Sequence, residues 1–311
     1  MRIPFLSVAM NGWQRASKAF SHERKSYLIW QQWRSFFAAL IYYKVALKWF
    51  GIIESPGFTQ ISVYRPKLYF KPFRVYMSIR WNAKQRIKVM LDTYRFILSK
   101  GDAFARGILQ TGGIVIASIM LGDAMDGVLT LGYDERFRKE GELVLSFDCN
   151  QLGGRIVSAA FSFEEIETGC WVCRIGCIQG HMINESNSSK AVQKLMHGLR
   201  PKSFIVFAVQ ELTRQLGFNA IYGAGDGIQA YRRKHFIHLS RRHAIQFNYN
   251  SLWAESGGQP YKDGWFELPL TPLRKNMQEI KSNKRSLYLK RFSVLDDLSA
   301  QIADSCNKIS G

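Results

Sequence analysis

The sequence predicts an α+β protein in which a basic, helical N-terminal region precedes a mostly antiparallel sheet. Two patterns support this class: apolar residues recur at helical spacing in the first hundred residues, and short alternating runs bounded by Gly, Asp and Asn follow them. Hydrophobic residues make up 47% of the 311 residues, enough to bury a core without disulfides or metal. We place the domain boundary between residues 1–105, the helical region, and residues 106–311, the α+β domain.

The N-terminal region contains two predicted helical stretches. Residues 11–53 form the first, because large apolar residues recur at steps of three and four until Gly51 and Pro56 end the run. The recurring residues are Phe36, Leu40, Tyr43, Leu47 and Phe50. Residues 78–98 form the second, which has one apolar side, one basic side and Gly101 at its end.

Five strands are predicted in the middle of the chain. Each is a short alternating or β-branched run, and Gly, Asp or Asn separates it from the next, which is typical of antiparallel strands. The five runs are residues 114–120, 127–133, 142–147, 155–163 and 170–179.

Helices and strands alternate in the segment that follows. Ser188 suits the N-cap of a short helix, and Pro201 suits the first turn of a longer one, because its missing N–H would be unpaired there anyway. Gly217 is placed to end that longer helix. Its predicted buried stripe is Phe204, Ile205, Ala208, Val209, Leu212 and Leu216. A strand over 218–222, a helix over 227–235 and a strand over 244–249 complete the predicted series.

The order of these elements predicts an acyltransferase-like β-α-β-α-β segment. From residue 142 to 249 it matches the Gcn5-related N-acyltransferase superfamily, apart from one extra short helix. In that superfamily a strand, a turn and a helix N-terminus hold the pyrophosphate of coenzyme A. The turn at residues 197–202 lacks the Gly-x-Gly character of that superfamily, and Pro201 removes a donor. The candidate cofactor is acyl-CoA or another acyl- or phosphate-bearing donor.

The charge distribution predicts an anionic partner. Of the net charge of +19, most lies in residues 1–100, which carry 18 Lys or Arg against three acids. Crowded like charges repel one another unless an anion neutralises them. Interleaved Trp and Tyr favour anionic lipid or a membrane surface over nucleic acid, for which we find no recognisable motif. The alternative is a solvated basic face around an aromatic core.

Cysteine usage and hydropathy favour a cytoplasmic protein. Five cysteines are an odd number, which fits a reducing compartment better than a disulfide framework. The apolar run in residues 1–10 is too short for a convincing signal peptide. Arg34, Lys44 and Lys48 interrupt the apolar stretch at residues 33–53, so that stretch predicts an interfacial or core helix and not a membrane span.

Five segments resemble successive blocks of the VirK/YbjX family of Gram-negative bacteria. They occur in the family's order, at residues 179–180, 194–202, 249–258, 266–269 and 279–288. Two positions depart from the family pattern. Residues 249–253 read Tyr-Asn-Ser-Leu-Trp where the family has Tyr-Asp-x-Phe-Trp, and residues 225–229 read Gly-Asp-Gly-Ile-Gln where an Asn and a His are usual.

The resemblance implies a role in virulence, envelope stress or antimicrobial-peptide resistance, since members are associated with these processes and no reaction is assigned to the family as a whole. Together, this resemblance and the order of elements suggest an acyltransferase-like enzyme that acts on a lipid or peptide amine. We expect such an enzyme to lie peripherally on the cytoplasmic side of the inner membrane. The alternative is a non-catalytic adaptor that binds a partner protein or peptide, or anionic lipid.

The turn before the longer helix is the first candidate site. Gly198, Leu199, Arg200 and Lys202 are expected to hold the phosphate of a cofactor, because backbone donors and cations gather at a helix start. His197 is a candidate general base, since an imidazole exchanges protons near neutral pH. The alternatives are surface charges on a tight turn and a packed histidine.

Two carboxylates complete the set of predicted catalytic residues. Glu255 follows Trp253 and precedes a Gly pair that permits close approach of a ligand, and Asp226 lies on a loop after a strand. The alternatives are a helix that ends at a Gly cap with Trp253 in the core, and an ordinary turn Asp.

No metal site is predicted. Cys173 and Cys177 share one face of an extended strand, whereas Cys170 points to the other. The histidines at 235, 238 and 243 lie among arginines that suit an anion better than a cation. Residues 281–291 add five cations around Leu287 and predict a basic amphipathic helix, for which a solvated helix is the alternative.

Overall fold

The computed structural model of the protein describes residues 4–110, 112–122, 125–180, 188–232 and 247–310. The chain divides into two units, Met1–Tyr76 with Trp81–Lys88 and Met77–Arg80 with Val89–Gly311. Each unit is described by itself below. The boundary that we predict near residue 105 stays a prediction.

Short helices build the first unit. They are α1 (Pro4–Ala19), α2 (Lys25–Ile41), α3 (Tyr43–Ile53) and α4 (Thr59–Tyr64), followed by a 3-10 segment, Pro66–Phe73. The helix α5 (Ala83–Ser99) starts in this unit and continues into the second, and it begins later than the predicted residue 78. Residues 11–53 are largely helical as predicted, but breaks at residues 20–24 and at Tyr42 divide them among three helices.

Hydropathy singles out α2 and α3. No single helix in the described ranges is both long and apolar enough to cross a membrane. Taken together, α2 and α3 have the required length and composition, but they are bent by 110° where they meet.

A sheet of eight described strands organises the second unit. The strands are β1 (Ile114–Leu121), β2 (Met125–Gly132), β3 (Leu143–Cys149), β4 (Gly154–Glu167), β5 (Cys170–Gly180), β6 (Ala220–Ala224), β7 (Gln259–Pro260) and β8 (Trp265–Leu268). Their order is β1-β2-β3-β4-β5-β6-β8-β7, and only the β5–β6 pair is parallel. The predicted α+β class and the mostly antiparallel sheet are therefore confirmed.

Helices of the second unit cover the sheet. They are α6 (Asp102–Leu109), α7 (Ser188–Leu195), α8 (Pro201–Gln215), α9 (Tyr249–Glu255) and α10 (Ser282–Ser310). Helix α8 packs on β3, β4 and β5, and its predicted stripe is buried except for the half-buried Leu216. Gly217 ends α8 as predicted, with a positive φ of 74°.

The predicted elements after β6 need correction. Short 3-10 turns, Asp226–Ile228 and Ala230–Arg232, stand where a helix is predicted, and the rest of that helix lies outside the described residues. The strand predicted over 244–249 lies mostly outside them as well. Its last residue, Tyr249, begins helix α9 instead, because the Asn248 side chain caps that helix by accepting from the Ser251 amide at 2.8 Å.

Strands β5 and β6 pair over only part of their length. The parallel register joins Val172 to Ala220 and ends at Ile175 with Gly223, while β5 continues to residue 180. Beyond that point the Tyr249 hydroxyl donates to the Ile178 carbonyl at 3.0 Å and accepts from the Ile178 amide at 3.3 Å. A side chain thus satisfies the backbone where no described strand pairs with that side of β5.

Helix α10 lies along the outer edge of β1. The Gln301 side-chain amide donates to the Ser118 carbonyl and accepts from the Ser118 amide, both at 2.8 Å. The Ser305 hydroxyl donates to the Ile116 carbonyl at 2.7 Å. Side chains of the helix therefore occupy backbone groups that an edge strand would otherwise expose.

Candidate anion-binding site

Helix α8 begins with cations in place of a capping acceptor. Arg200 is the N-cap residue and makes no capping hydrogen bond, Pro201 follows it, and the first turn contains no acid. Neither a guanidinium nor the Lys202 ammonium can accept from the first amides, and both charges lie at the positive end of the helix dipole. Because each such charge costs roughly 0.3–1 kcal/mol, this helix start is suited to an anion.

A cavity of about 460 Å³ opens beside this helix start. Gly198, Leu199 and Arg200 of the predicted turn line it, as does Glu255, one of the predicted catalytic residues. The loop before α10 and α10 itself contribute further positive charge. These added cations are Arg274, Lys275 and Arg291. The structure thus brings two separately predicted segments together at one basic cavity.

Arg200 and Glu255, which both line this cavity, form an ion pair. The guanidinium Nη1 lies 3.0 Å from Glu255 Oε2, and the side chains are 66% and 55% exposed. Exposed pairs of this kind contribute about 0–1 kcal/mol, because water screens them and two long side chains must be held still. An anionic ligand can therefore displace Glu255 from Arg200 at small cost.

His197 contributes its backbone to the site. Its φ is +52°, and its carbonyl accepts from Arg291 at 3.0 Å (Nη2) and 3.3 Å (Nε). The half-buried imidazole makes no hydrogen bond to a described residue. The predicted role of His197 as a general base stays a prediction, whereas its role in holding Arg291 at the cavity is visible.

Lys202 lines a separate, smaller cavity. This space of about 220 Å³ also borders Arg200 and Glu255. The ammonium of Lys202 lies 3.2 Å from the centre of the Phe247 ring. Burial lowers the pKa of this amine from 10.5 to about 8, because the charged form loses solvation. Of the four predicted cofactor-binding residues, Lys202 alone lies outside the lining of the larger cavity.

The lowered pKa of Lys202 predicts a pH-dependent effect on stability. Below pH 8 the amine is charged in both the folded and unfolded protein, so the cost of burying the charge is fully present. Between pH 8 and 10.5 the unfolded chain binds more protons, and stability rises with pH. We expect Lys202→Met to stabilise the protein at pH 7 by about 1 kcal/mol, reduced by partial exposure. Denaturant unfolding at several pH values measures the difference in free energy of unfolding between this variant and the unchanged protein. A difference that does not shrink above pH 8 would contradict the prediction.

Asp226 holds the start of helix α9. Its Oδ1 accepts from the Tyr249 amide at 3.0 Å and its Oδ2 from the Asn250 amide at 3.3 Å. Its own amide donates to Asn250 Oδ1 at 2.9 Å. Both carboxylate oxygens thus bind backbone, as expected for a turn Asp, and the predicted catalytic role stays a prediction.

Trp253 fixes the position of Glu255. Its side chain is fully buried, and its indole N–H donates to the Ala224 carbonyl at 2.9 Å. Helix α9 ends at Glu255, Gly257 just beyond it has a φ of +84°, and the Gly258 amide donates to the Trp253 carbonyl at 2.8 Å. The helix with a Gly cap and a core Trp is therefore confirmed, and it presents Glu255 at the cavity.

The comparisons with known proteins decide the family. The model of the family described as "Protein of unknown function (DUF535)" matches residues 24–304. The chain belongs to this family. It is 24% identical to the uncharacterized protein YbjX of Escherichia coli over 268 residues, covering 85% of this chain and 80% of the relative. The resemblance to the VirK/YbjX family is confirmed.

Two uncharacterized proteins of Haemophilus influenzae are similar as well. One is 29% identical over 239 residues, covering 74% of this chain and 73% of the relative. The other is 27% identical over 225 residues, covering 72% of each. No solved structure matches this DUF535 protein.

Buried thiols of this DUF535 protein stay protonated at neutral pH. Desolvation raises the pKa of Cys173 to about 12 and raises that of Cys177 as well. Among the described residues, no three His, Cys, Asp or Glu side chains are placed to hold a metal. The histidines at 235, 238 and 243 lie outside those residues.

Sequence reasoning missed part of the site in this DUF535 protein. Arg274 and Lys275 stand in an irregular loop, and no pattern there points toward the turn before α8. Arg291 belongs to the predicted C-terminal basic run, which the structure places in α10. That run was interpreted as a lipid- or partner-binding helix, whereas Arg291 points to the cavity and bonds the turn.

Proposed function

We propose that this protein binds a phosphate-bearing acyl donor, such as acyl-CoA, in the basic cavity and transfers the acyl group to a lipid or peptide amine. The observation that carries the proposal is the start of α8, which presents cations and uncapped amides to a cavity of about 460 Å³. That volume is within the range of small-molecule sites, roughly 300–1,000 Å³. Its three arginines, Arg200, Arg274 and Arg291, suit the bidentate geometry of phosphate.

The arrangement of β5, α8 and β6 supports an acyltransferase-like fold. The two strands are parallel and α8 lies in the connection between them. Their pairing stops at Ile175, and β5 continues to Gly180, paired there only with β4 among the described strands and close to Lys202 at the start of α8. Ligands in sheets with parallel strands bind beyond the carboxyl ends of such strands, where the strands separate. The fold order supports this function only as an analogy.

Glu255 is the base that we assign to the reaction. A phosphate that binds Arg200 competes with Glu255 for the guanidinium and leaves the carboxylate free. The acceptor amine then attacks the acyl carbon, a C–N bond forms and Glu255 takes the amine proton. The C–S bond breaks, the thiolate leaves, and the proton passes from Glu255 to the thiol product.

The envelope role that the resemblance to the VirK/YbjX family implies suggests what such a transfer would achieve. Acylation of a peptide amine removes a positive charge, and each Lys or Arg near an anionic membrane contributes about 1 kcal/mol to binding. An acylated peptide is therefore less attracted to the bacterial surface. This supports the proposed role in envelope stress and antimicrobial-peptide resistance.

Calorimetry with coenzyme A and acetyl-CoA tests the proposal. We expect both ligands to bind the full chain, and we expect Arg200→Gln and Lys275→Gln each to weaken binding about tenfold, because each removes a charge-assisted contact. The matched control is Lys308→Gln, an exposed cation on the same helix as Arg291 and roughly 25 Å farther along it. This control should bind like the unchanged protein.

Two results would contradict the proposed site. No heat and no thermal shift at millimolar coenzyme A would exclude the acyl donor and favour the non-catalytic adaptor. Binding that Arg200→Gln and Lys275→Gln leave unchanged would place the ligand elsewhere.

A further inference from the structure

Helix α2 has an unusual distribution of side chains. It buries Gln31, Ser35 and Ala39 and exposes its large apolar residues on the opposite side. We call these exposed residues the outer stripe: Ile29, Trp30, Trp33, Phe37 and Ile41. Trp30 is 61% exposed and Ile41 is 72% exposed. A helix on the surface of a water-soluble unit normally has the reverse pattern.

Close packing of small residues explains the inner face. A Cβ atom at Gly12 of α1 would lie 3.0 Å from both the Ala39 Cβ and the Ser35 carbonyl oxygen. The polar side chain of Gln31 is satisfied, because its Oε1 accepts from Arg74 at 2.7 Å. Helix pairs in membranes pack through small residues in the same way, which leaves their large side chains on the outside.

The outer stripe forms one continuous apolar surface. Its members recur at steps of three and four residues, so they lie on one side of the helix. Trp33 stacks on Phe37 at 5.8 Å and meets Trp13 of α1 edge-on at 4.9 Å. Met10, one helical turn before Trp13 in α1, is also exposed. Contiguous exposed apolar surface of this kind marks an interaction site.

The unit that carries the outer stripe is strongly basic. The first unit holds 15 Lys and Arg against two acids, Glu23 and Glu54. Both acids are already paired, with Lys67 and Arg15 respectively. The exposed Arg34, Lys44 and Lys48 of α2 and α3 make no ion pair with a described residue. These cations remain available to anions outside the chain.

We propose that the outer stripe lies in the interface of an anionic phospholipid bilayer, with α2 parallel to the membrane plane and Arg34, Lys44 and Lys48 against lipid phosphates. Tryptophan favours this interface, and basic residues near it bind anionic headgroups. A second copy of the chain is a poorer occupant, because its own outer stripe carries the same positive charge. The inference does not depend on the proposed acyl transfer.

Cosedimentation of the full chain with vesicles tests this inference. We expect binding to phosphatidylcholine vesicles that contain about one-third phosphatidylglycerol, and much weaker binding to phosphatidylcholine alone. Trp30→Ser with Ile41→Ser should lower partitioning about tenfold, because less apolar surface enters the interface. Lys44→Gln with Lys48→Gln should lower partitioning about 25-fold, because each charge contributes about fivefold.

Matched controls lie in the second unit. Val115→Ser removes an exposed apolar side chain of β1, and Lys308→Gln removes an exposed cation, so both should bind like the unchanged protein. Circular dichroism verifies that each variant is folded, as expected for changes at exposed positions.

Three results would overturn the inference. They are an absence of binding to anionic vesicles, undiminished binding by the Trp30/Ile41 variant, and equal binding by vesicles with and without phosphatidylglycerol. A dimer in light scattering that this variant dissociates, without any vesicle binding, would assign the outer stripe to a contact between copies instead.

Discussion

Replacing Trp253 with alanine is expected to lower the free energy of unfolding of the second unit by about 3–5 kcal/mol. The side chain is fully buried, and an added Cβ at Gly223 would lie within 2.6 Å of its ring, so sheet and indole are in close contact. Its removal leaves a cavity and also leaves the Ala224 carbonyl without its donor. The cavity and the lost hydrogen bond both lie where helix α9, which carries Glu255, contacts β6.

Denaturant unfolding measures this effect, with Trp30→Ala as the matched control. Trp30 is the same residue type but lies on the exposed outer stripe, so its removal should change stability by no more than about 0.5 kcal/mol. Trp253→Phe should fall between the two, because it keeps most of the packing and loses the hydrogen bond. Equal effects of the two alanine variants would show that Trp253 is not the core residue described above.

Glu255→Gln is expected to reduce acyl transfer by about 10²–10⁴-fold, because an amide cannot take the proton from the attacking amine. The same change should not weaken coenzyme A binding. It removes the carboxylate that holds Arg200 at 3.0 Å, so the guanidinium becomes freer to bind phosphate. We expect affinity at low salt to rise a few-fold, since the pair is worth about 0–1 kcal/mol.

Turnover and binding, measured on the same variant, separate the possible roles of Glu255. Glu279→Gln provides the control, since it removes an exposed carboxylate that is outside the cavity lining. Unchanged turnover in Glu255→Gln would assign the base to another residue. Loss of both turnover and binding would indicate that Glu255 positions the site and does not act on the proton.

Sequence patterns predicted the sheet well and the first helices less well. Strands β1 to β5 lie within a few residues of their predicted bounds, because alternation and turn residues mark antiparallel strands directly. The breaks at residues 20–24 and at Tyr42 contain neither Gly nor Pro, so no residue in the local sequence predicted them. The small inner face of α2 was missed for a related reason: the predicted stripe followed large side chains such as Phe36 and Leu40, which are only half-buried, whereas α2 buries Gln31, Ser35 and Ala39.

The candidate site was predictable in parts. Arg200 and Glu255 each stood out within a short segment, but 55 positions separate them, and only the fold shows that they form a pair. Arg274 and Lys275 had no local signal at all. The side chains of His197 and Asp226 are capable of proton transfer. In the structure, however, the backbone carbonyl of His197 accepts from Arg291, and both carboxylate oxygens of Asp226 accept from backbone amides.

The contact between α10 and β1 has a consequence for the behaviour of the protein at high concentration. Bonds from Gln301 and Ser305 already saturate the Ser118 amide and carbonyl and the Ile116 carbonyl. A β-strand of a neighbouring molecule could not pair with these backbone groups, because side chains of α10 already bind them. Intermolecular sheet growth, the first step toward fibrils, is therefore hindered at Ile116 and Ser118 for as long as the last helix stays docked.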